Sequence, residues 1–230
     1  MFNLKQFSLS VALIAATVTF SAVCSTAAQA ATLHTTDFIP NTTRTNFNGF
    51  EGLPVGFGGS VYVEDEIKVD QINGEANDIV SLGFSGFEGS GSWYPNGGDY
   101  GYTKITRANG SDFVNIGLLR DSGFGSSQTT YVYQLLKGGA SILSGTLFGT
   151  TNFAEYLGFS GGGFDEVRLG NYLGNDPNQT LSGYNALAID SIELSGSNVQ
   201  PIPTPALLPG LIGLGLGMFR KRKAQAVSEK

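Results

Sequence analysis

Apolar residues in the middle of this chain come in short runs rich in Val, Ile, Tyr, Phe and Leu, separated by clusters of Gly, Asn and Asp. That punctuation is the signature of antiparallel strands joined by tight turns. It predicts strands over residues 46–51, 60–69, 78–87, 100–107 and 113–119. It then predicts a hairpin of residues 131–136 and 140–148 across Lys137, Gly138 and Gly139, followed by strands over 153–159, 164–169 and 186–194. No segment carries an amphipathic helical period. About ten short strands with turns at this spacing predict an all-β domain, a two-sheet antiparallel jelly-roll-like β-sandwich, over residues 31–195.

The two ends read differently. Lys5 precedes an uncharged apolar run over residues 11–23, and small residues follow to Ala28, Gln29 and Ala30. A basic start, an apolar stretch and an A-x-A site describe a secretory signal peptide over residues 1–30, cut by signal peptidase after Ala30. The run is short of the roughly 20 apolar residues that span a bilayer. Cys24 follows Val23, where lipid attachment wants a small residue. At the far end, residues 196–205 form a proline-rich linker, stiff because proline fixes φ and lacks an N–H. Residues 206–219 are uncharged and contain four glycines, a short transmembrane segment, and residues 220–230 open with Arg220, Lys221, Arg222 and Lys223. A basic cluster directly after an apolar run places the C-terminus on the cytoplasmic side.

Pro203, Thr204, Pro205 and Ala206, the Leu-Leu-Pro-Gly-Leu stretch, the Gly/Leu run and the basic cluster together resemble the PEP-CTERM class of sorting tails. The closest form is the PTPA-CTERM variant, since Thr204 stands where the main pattern has glutamate. The resemblance implies recognition by exosortase, a membrane protease-transpeptidase, and association with extracellular polysaccharide or biofilm matrix. The order of features in the body also resembles the globular part of many such proteins. Those domains look like galactose-binding-type jelly rolls and other carbohydrate-binding modules.

Charge sharpens the picture. Residues 31–203 hold 18 acidic and seven basic residues, a net charge of −11, because basic residues concentrate at the chain ends. Such a body disfavours nucleic acid and anionic lipid as partners, and it suits divalent cations and neutral glycans. Beyond residue 30 there is no cysteine and a single histidine, His34, expected in a solvated terminal segment. Disulfides, thiolate metal sites and cysteine nucleophiles are thereby excluded from the body, and most histidine-based triads with them. Glycine supplies 29 of those 173 residues, as turn-rich β proteins require.

Two groups of residues are candidates for chemistry. Glu51 and Asp190 fall in the first and last of the predicted long strands, which adjoin in many sandwiches. Counting by twos puts Asp190 on one face with Ala188, Ile192 and Leu194. A carboxylate on a buried face needs a partner, and a structural calcium would supply one. The alternative turns Leu187 and Ile189 to the core and leaves Asp190 solvated. The second group is Trp93, Tyr94, Asn96, Asp99, Tyr100 and Tyr102, an aromatic and amide cluster in a loop-like stretch. Such rings either stack on sugars or pack on their own domain. Two function classes follow: a non-catalytic surface or matrix protein associated with polysaccharide, or a secreted polysaccharide-acting enzyme with a carboxylate pair.

Overall fold

The structure is a computed structural model and describes residues 30–54, 56–73, 79–80, 84–95 and 97–196. The N-terminal apolar run with Ala28, the sorting tail from Pro203 to Lys223, Asn96 and the side chains of Asp99 and Tyr100 lie outside the described residues. Ala30 is exposed at the start of the described chain.

The chain is all-β, with two antiparallel sheets and a single short 3-10 turn at Ser126–Gln128 among the described residues. In chain order the strands are β1 (Thr32–His34), β2 (Arg44–Asn48), β3 (Val61–Glu64), β4 (Ile67–Ile72), β5 (Ile79–Val80), β6 (Tyr94–Pro95) and β7 (Gly97–Arg107). They continue with β8 (Asn115–Ser122), β9 (Thr129–Lys137), β10 (Ala140–Phe148), β11 (Glu155–Ser160), β12 (Glu166–Leu173), β13 (Gly183–Asn185) and β14 (Leu187–Ser195). One sheet has the order β1-β11-β8-β14-β2, and the other β10-β9-β12-β13-β7-β4-β3. β5 and β6 make a separate short pair. β12 pairs directly with β7 over Glu166–Leu169, then the two diverge and β13 enters between them.

The core lies between the two inner faces. The five-stranded sheet contributes Ile116, Leu118, Leu157, Phe159, Leu187, Ile189, Ile192 and Leu194. The seven-stranded sheet answers with Ile67, Val69, Ile105, Tyr131, Tyr133, Leu135, Val167 and Leu169. Where the register is regular, side chains alternate between this core and an outer face.

Three departures from the expected strands have local causes. The run 60–69 is a hairpin, because Asp65 and Glu66 both adopt positive φ, 44° and 64°, and turn β3 back into β4. A two-residue turn of that kind is usually marked by Asn-Gly or Asp-Gly, and here no glycine marks it. β2 stops at Asn48, whose Oδ1 accepts the Phe50 N–H at 3.1 Å while Phe50 takes φ 58°. Glu51 therefore sits in the turn beyond the strand, exposed. His34 is not in a solvated end: β1 pairs with β11, His34 shares a 2.8 Å hydrogen bond with Ser160 Oγ, and its ring stacks on Phe38 at 3.9 Å.

Candidate functional site

The outer face of the seven-stranded sheet carries a polar ladder set by register. Asp70 of β4 faces Lys104 of β7, Lys104 faces Arg168 of β12, Arg168 faces Gln134 of β9, and Gln134 faces Ser144 of β10. One turn along, Val132 faces Gly170 on one side and Thr146 on the other. Directly opposed pairs have Cβ atoms about 4.5–5.5 Å apart, so these side chains form continuous rows across the sheet. At the β4 end the rows are charged: Asp70 is bridged by Lys68 and Lys104, each at 3.1 Å, and Arg168 pairs with Glu166 and lies 5.3 Å from the Tyr102 ring. Toward β10 the rows become neutral.

That neutral end is a groove of about 290 Å³, floored by Val132, Gln134, Ser144 and Thr146 and walled by Pro177, Gln179, Thr180 and Leu181. The wall is held down by its own hydrogen bonds. Thr130 Oγ1 donates to the Gly174 carbonyl at 2.5 Å and accepts the Asp176 N–H at 3.0 Å. Asp176 in turn accepts the Asn178 N–H at 2.9 Å and the Gln179 amide at 3.0 Å. The phenol of Tyr172 donates to the Ser182 carbonyl. Gly170 permits the close approach, since a Cβ there would stand 2.3 Å from the Leu181 carbonyl oxygen. The lining offers amides, hydroxyls and small apolar surfaces, and no charged side chain. Its volume is at the small end for ligand pockets.

The aromatic stretch is divided. Trp93 is fully buried, packed with Phe50 and Phe57, and its backbone bridges to Ile189. Tyr94 is buried beside Phe84, Phe87 and Phe124, and burial pushes its phenol up from the ordinary value. Neither ring presents a face to a sugar, because the loop folds back onto the edge of the five-stranded sheet and uses both as core. Tyr102, by contrast, stands on the outer face of the seven-stranded sheet beside Arg168. Gln134, Ser144, Thr146, Gln179 and Thr180 escape a reading of the sequence because only strand register brings them together. The alternation of Val132, Gln134 and Leu136 against Tyr131, Tyr133 and Leu135 was the one available signal.

Glu51 and Asp190 do meet a common neighbour, the turn 88–91 lying on the outer face of the five-stranded sheet. Asp190 accepts the Glu88 N–H at 2.9 Å and the Ser191 N–H at 2.6 Å. Glu51 Oε1 accepts the N–H groups of Ser90 and Gly91 at 3.0 and 3.3 Å. Among the described residues no three Asp, Glu, His or Cys side chains gather as a group that could hold a metal ion. The carboxylates serve as clasps on backbone donors.

Both sequence alternatives for Asp190 are partly realised, because β14 contains a bulge. Its register against β8 shifts by one between Asp190 and Glu193, where Ser191 takes φ 50°. Leu187 and Ile189 face the core before the bulge, and Ile192 and Leu194 after it. Asp190 points outward yet is fully buried beneath the 84–91 segment. Burial pushes its carboxyl up to about 7, against the opposing pull of the two N–H groups. Beyond the bulge Glu193 also faces outward. It accepts the Tyr156 phenol at 3.0 Å, and burial pushes both groups up. No protein-family model, curated protein or solved structure matches this chain.

Proposed function

We propose that this is a non-catalytic exported protein that associates with neutral extracellular polysaccharide through the groove over β9 and β10. The observation that carries the reading is the lining: amides and hydroxyls beside small apolar patches, uncharged, within a body of net charge −11. Amides and hydroxyls match sugar hydroxyls, apolar patches match the C–H faces of a ring, and the acidic body repels anionic polymers. Gln134→Ala and Gln179→Ala are each expected to weaken retardation in neutral-polysaccharide affinity gels, by about 1 kcal/mol per lost hydrogen bond. Retardation unchanged in the double variant would remove the groove from consideration.

The strand order supports a jelly-roll reading of the two sheets. Eight strands, β2-β14-β8-β11 against β7-β12-β9-β10, pass repeatedly between layers, as two Greek keys do. The chain ends support sorting to the cell surface: a signal peptide through Ala30, then a tail of Pro203 to Ala206, the apolar segment and the basic cluster for an exosortase-like enzyme. Sequencing the N-terminus of protein recovered outside the cytoplasm is expected to begin at Ala31. A start at Met1, or a lipidated Cys24, would refute this part of the reading.

A further inference from the structure

A sheet edge exposes unpaired N–H and C=O groups, and proteins blunt such edges with shortness, charge or proline. Three of the four edges of the two large sheets follow that rule. β1 is three residues long. β2 carries Arg44, and its Phe47 N–H is taken by the Asp65 carboxylate at 2.7 Å. β3 has four residues and ends on Glu64. β10 follows it least. It has nine residues, ASILSGTLF, without charge or proline, its one irregularity is a register shift at Ile142 near its start, and among the described residues its only strand neighbour is β9.

The surroundings of β10 are equally bare. Residues 138–154 form the longest uncharged run between residues 31 and 193. Ile142 and Phe148 expose 45% and 41% of their surface. Gly149 donates its N–H to the Thr129 carbonyl at 2.9 Å, so alternation turns the N–H groups of Leu147 and Gly145 toward β9 and those of Thr146 and Ser144 outward. A strand that pairs here meets no charged side chain on this one.

We infer that β10 pairs antiparallel with the β10 of a second copy of this chain, about a two-fold axis. Self-pairing of one strand about a two-fold axis closes into a dimer and leaves only the short or charged edges β1, β2 and β3 of each copy. It also lets two bodies of net charge −11 approach where each carries no charge for 17 residues. Among the described residues no other edge of the two large sheets offers both the length and the neutrality. The inference does not depend on the glycan reading.

Sedimentation velocity of the detergent-solubilised full chain tests it. The parent is expected to sediment as a dimer. Ile142→Glu sets a charge at an exposed position of the neutral edge, and Thr146→Pro removes an outward donor while leaving the β9 pairing intact. Each is expected to raise the dimer dissociation constant at least tenfold, whereas Val61→Glu on β3 leaves it unchanged. A parental far-UV circular dichroism spectrum in Ile142→Glu separates lost pairing from lost folding. A parent that stays monomeric at every concentration, or a dimer that persists in the Ile142→Glu variant, overturns the inference; the persistent dimer would locate association in the apolar tail.

Discussion

Arg120→Ala is expected to destabilise the fold by about 3–5 kcal/mol, the range for breaking a buried ion pair from one side. Arg120 points inward from β8 and is 3% exposed. Its Nη2 lies 2.8 Å from Glu155 Oε2, and its guanidinium sits 3.8 Å from the Tyr131 ring centroid across the sandwich. Glu155 Oε1 accepts the Thr150 and Thr151 N–H groups at 2.6 and 3.1 Å, so this carboxylate also shapes the turn between β10 and β11. Removing the arginine strands Glu155, empties the space over Tyr131 and loosens the clamp between sheets. The double variant Arg120→Met with Glu155→Gln restores volume and removes the stranded charge. It is expected to recover much of the loss. Urea unfolding measures both. An Arg120→Ala variant within about 1 kcal/mol of the parent would show that the pair contributes little.

Stability is expected to fall as pH rises from about 4 to about 7, with Asp190 as the largest single cause. The folded carboxyl titrates near 7, above its ordinary 3.8, so the folded protein keeps a proton that the unfolded chain has released. When the folded state binds more protons than the unfolded one, raising pH costs stability. The effect is absent below the unfolded value, accumulates between the two values and is complete above 7. Its ceiling is roughly 4 kcal/mol at about 1.4 kcal/mol per pH unit. The geometry explains the size: the carboxyl is covered by the 84–91 segment, with Glu88 adding repulsion. Glu193, also raised by burial, contributes with the same sign. Asp190→Asn should therefore flatten most of the slope and leave a shallower one. Thermal melts from pH 4 to 8 decide the matter. A parent that gains stability between pH 5 and 7, or a variant with the full parental slope, would contradict this account.

What the sequence showed, and what it hid, follows from the range of the signals. The β9–β10 hairpin is legible because Gly138 and Gly139 mark its turn and both arms are rich in strand formers. The hairpin at Asp65 and Glu66 is hidden because two acidic residues take the conformation usually marked by glycine. The Ser191 bulge is hidden for the same reason, and it matters more, because one extra residue reverses the face of everything after it. Counting by twos across positions 187–194 was bound to fail for half the strand. Trp93 carried a binding signal by composition alone, and its burial depends on a contact with Ile189 nearly a hundred residues away. The groove was out of reach because its residues come from β9, β10 and the loop before β13, joined only by register.

The groove itself is tested most directly by titrating isotope-labelled protein with neutral oligosaccharides and following backbone amide shifts by NMR. Shifts are expected at Val132, Gln134, Ser144, Thr146, Gln179 and Thr180, and Gln134→Ala should weaken them. No shifts with any neutral glycan, or shifts confined to the outer face of the five-stranded sheet around Tyr156 and Glu193, would contradict the account.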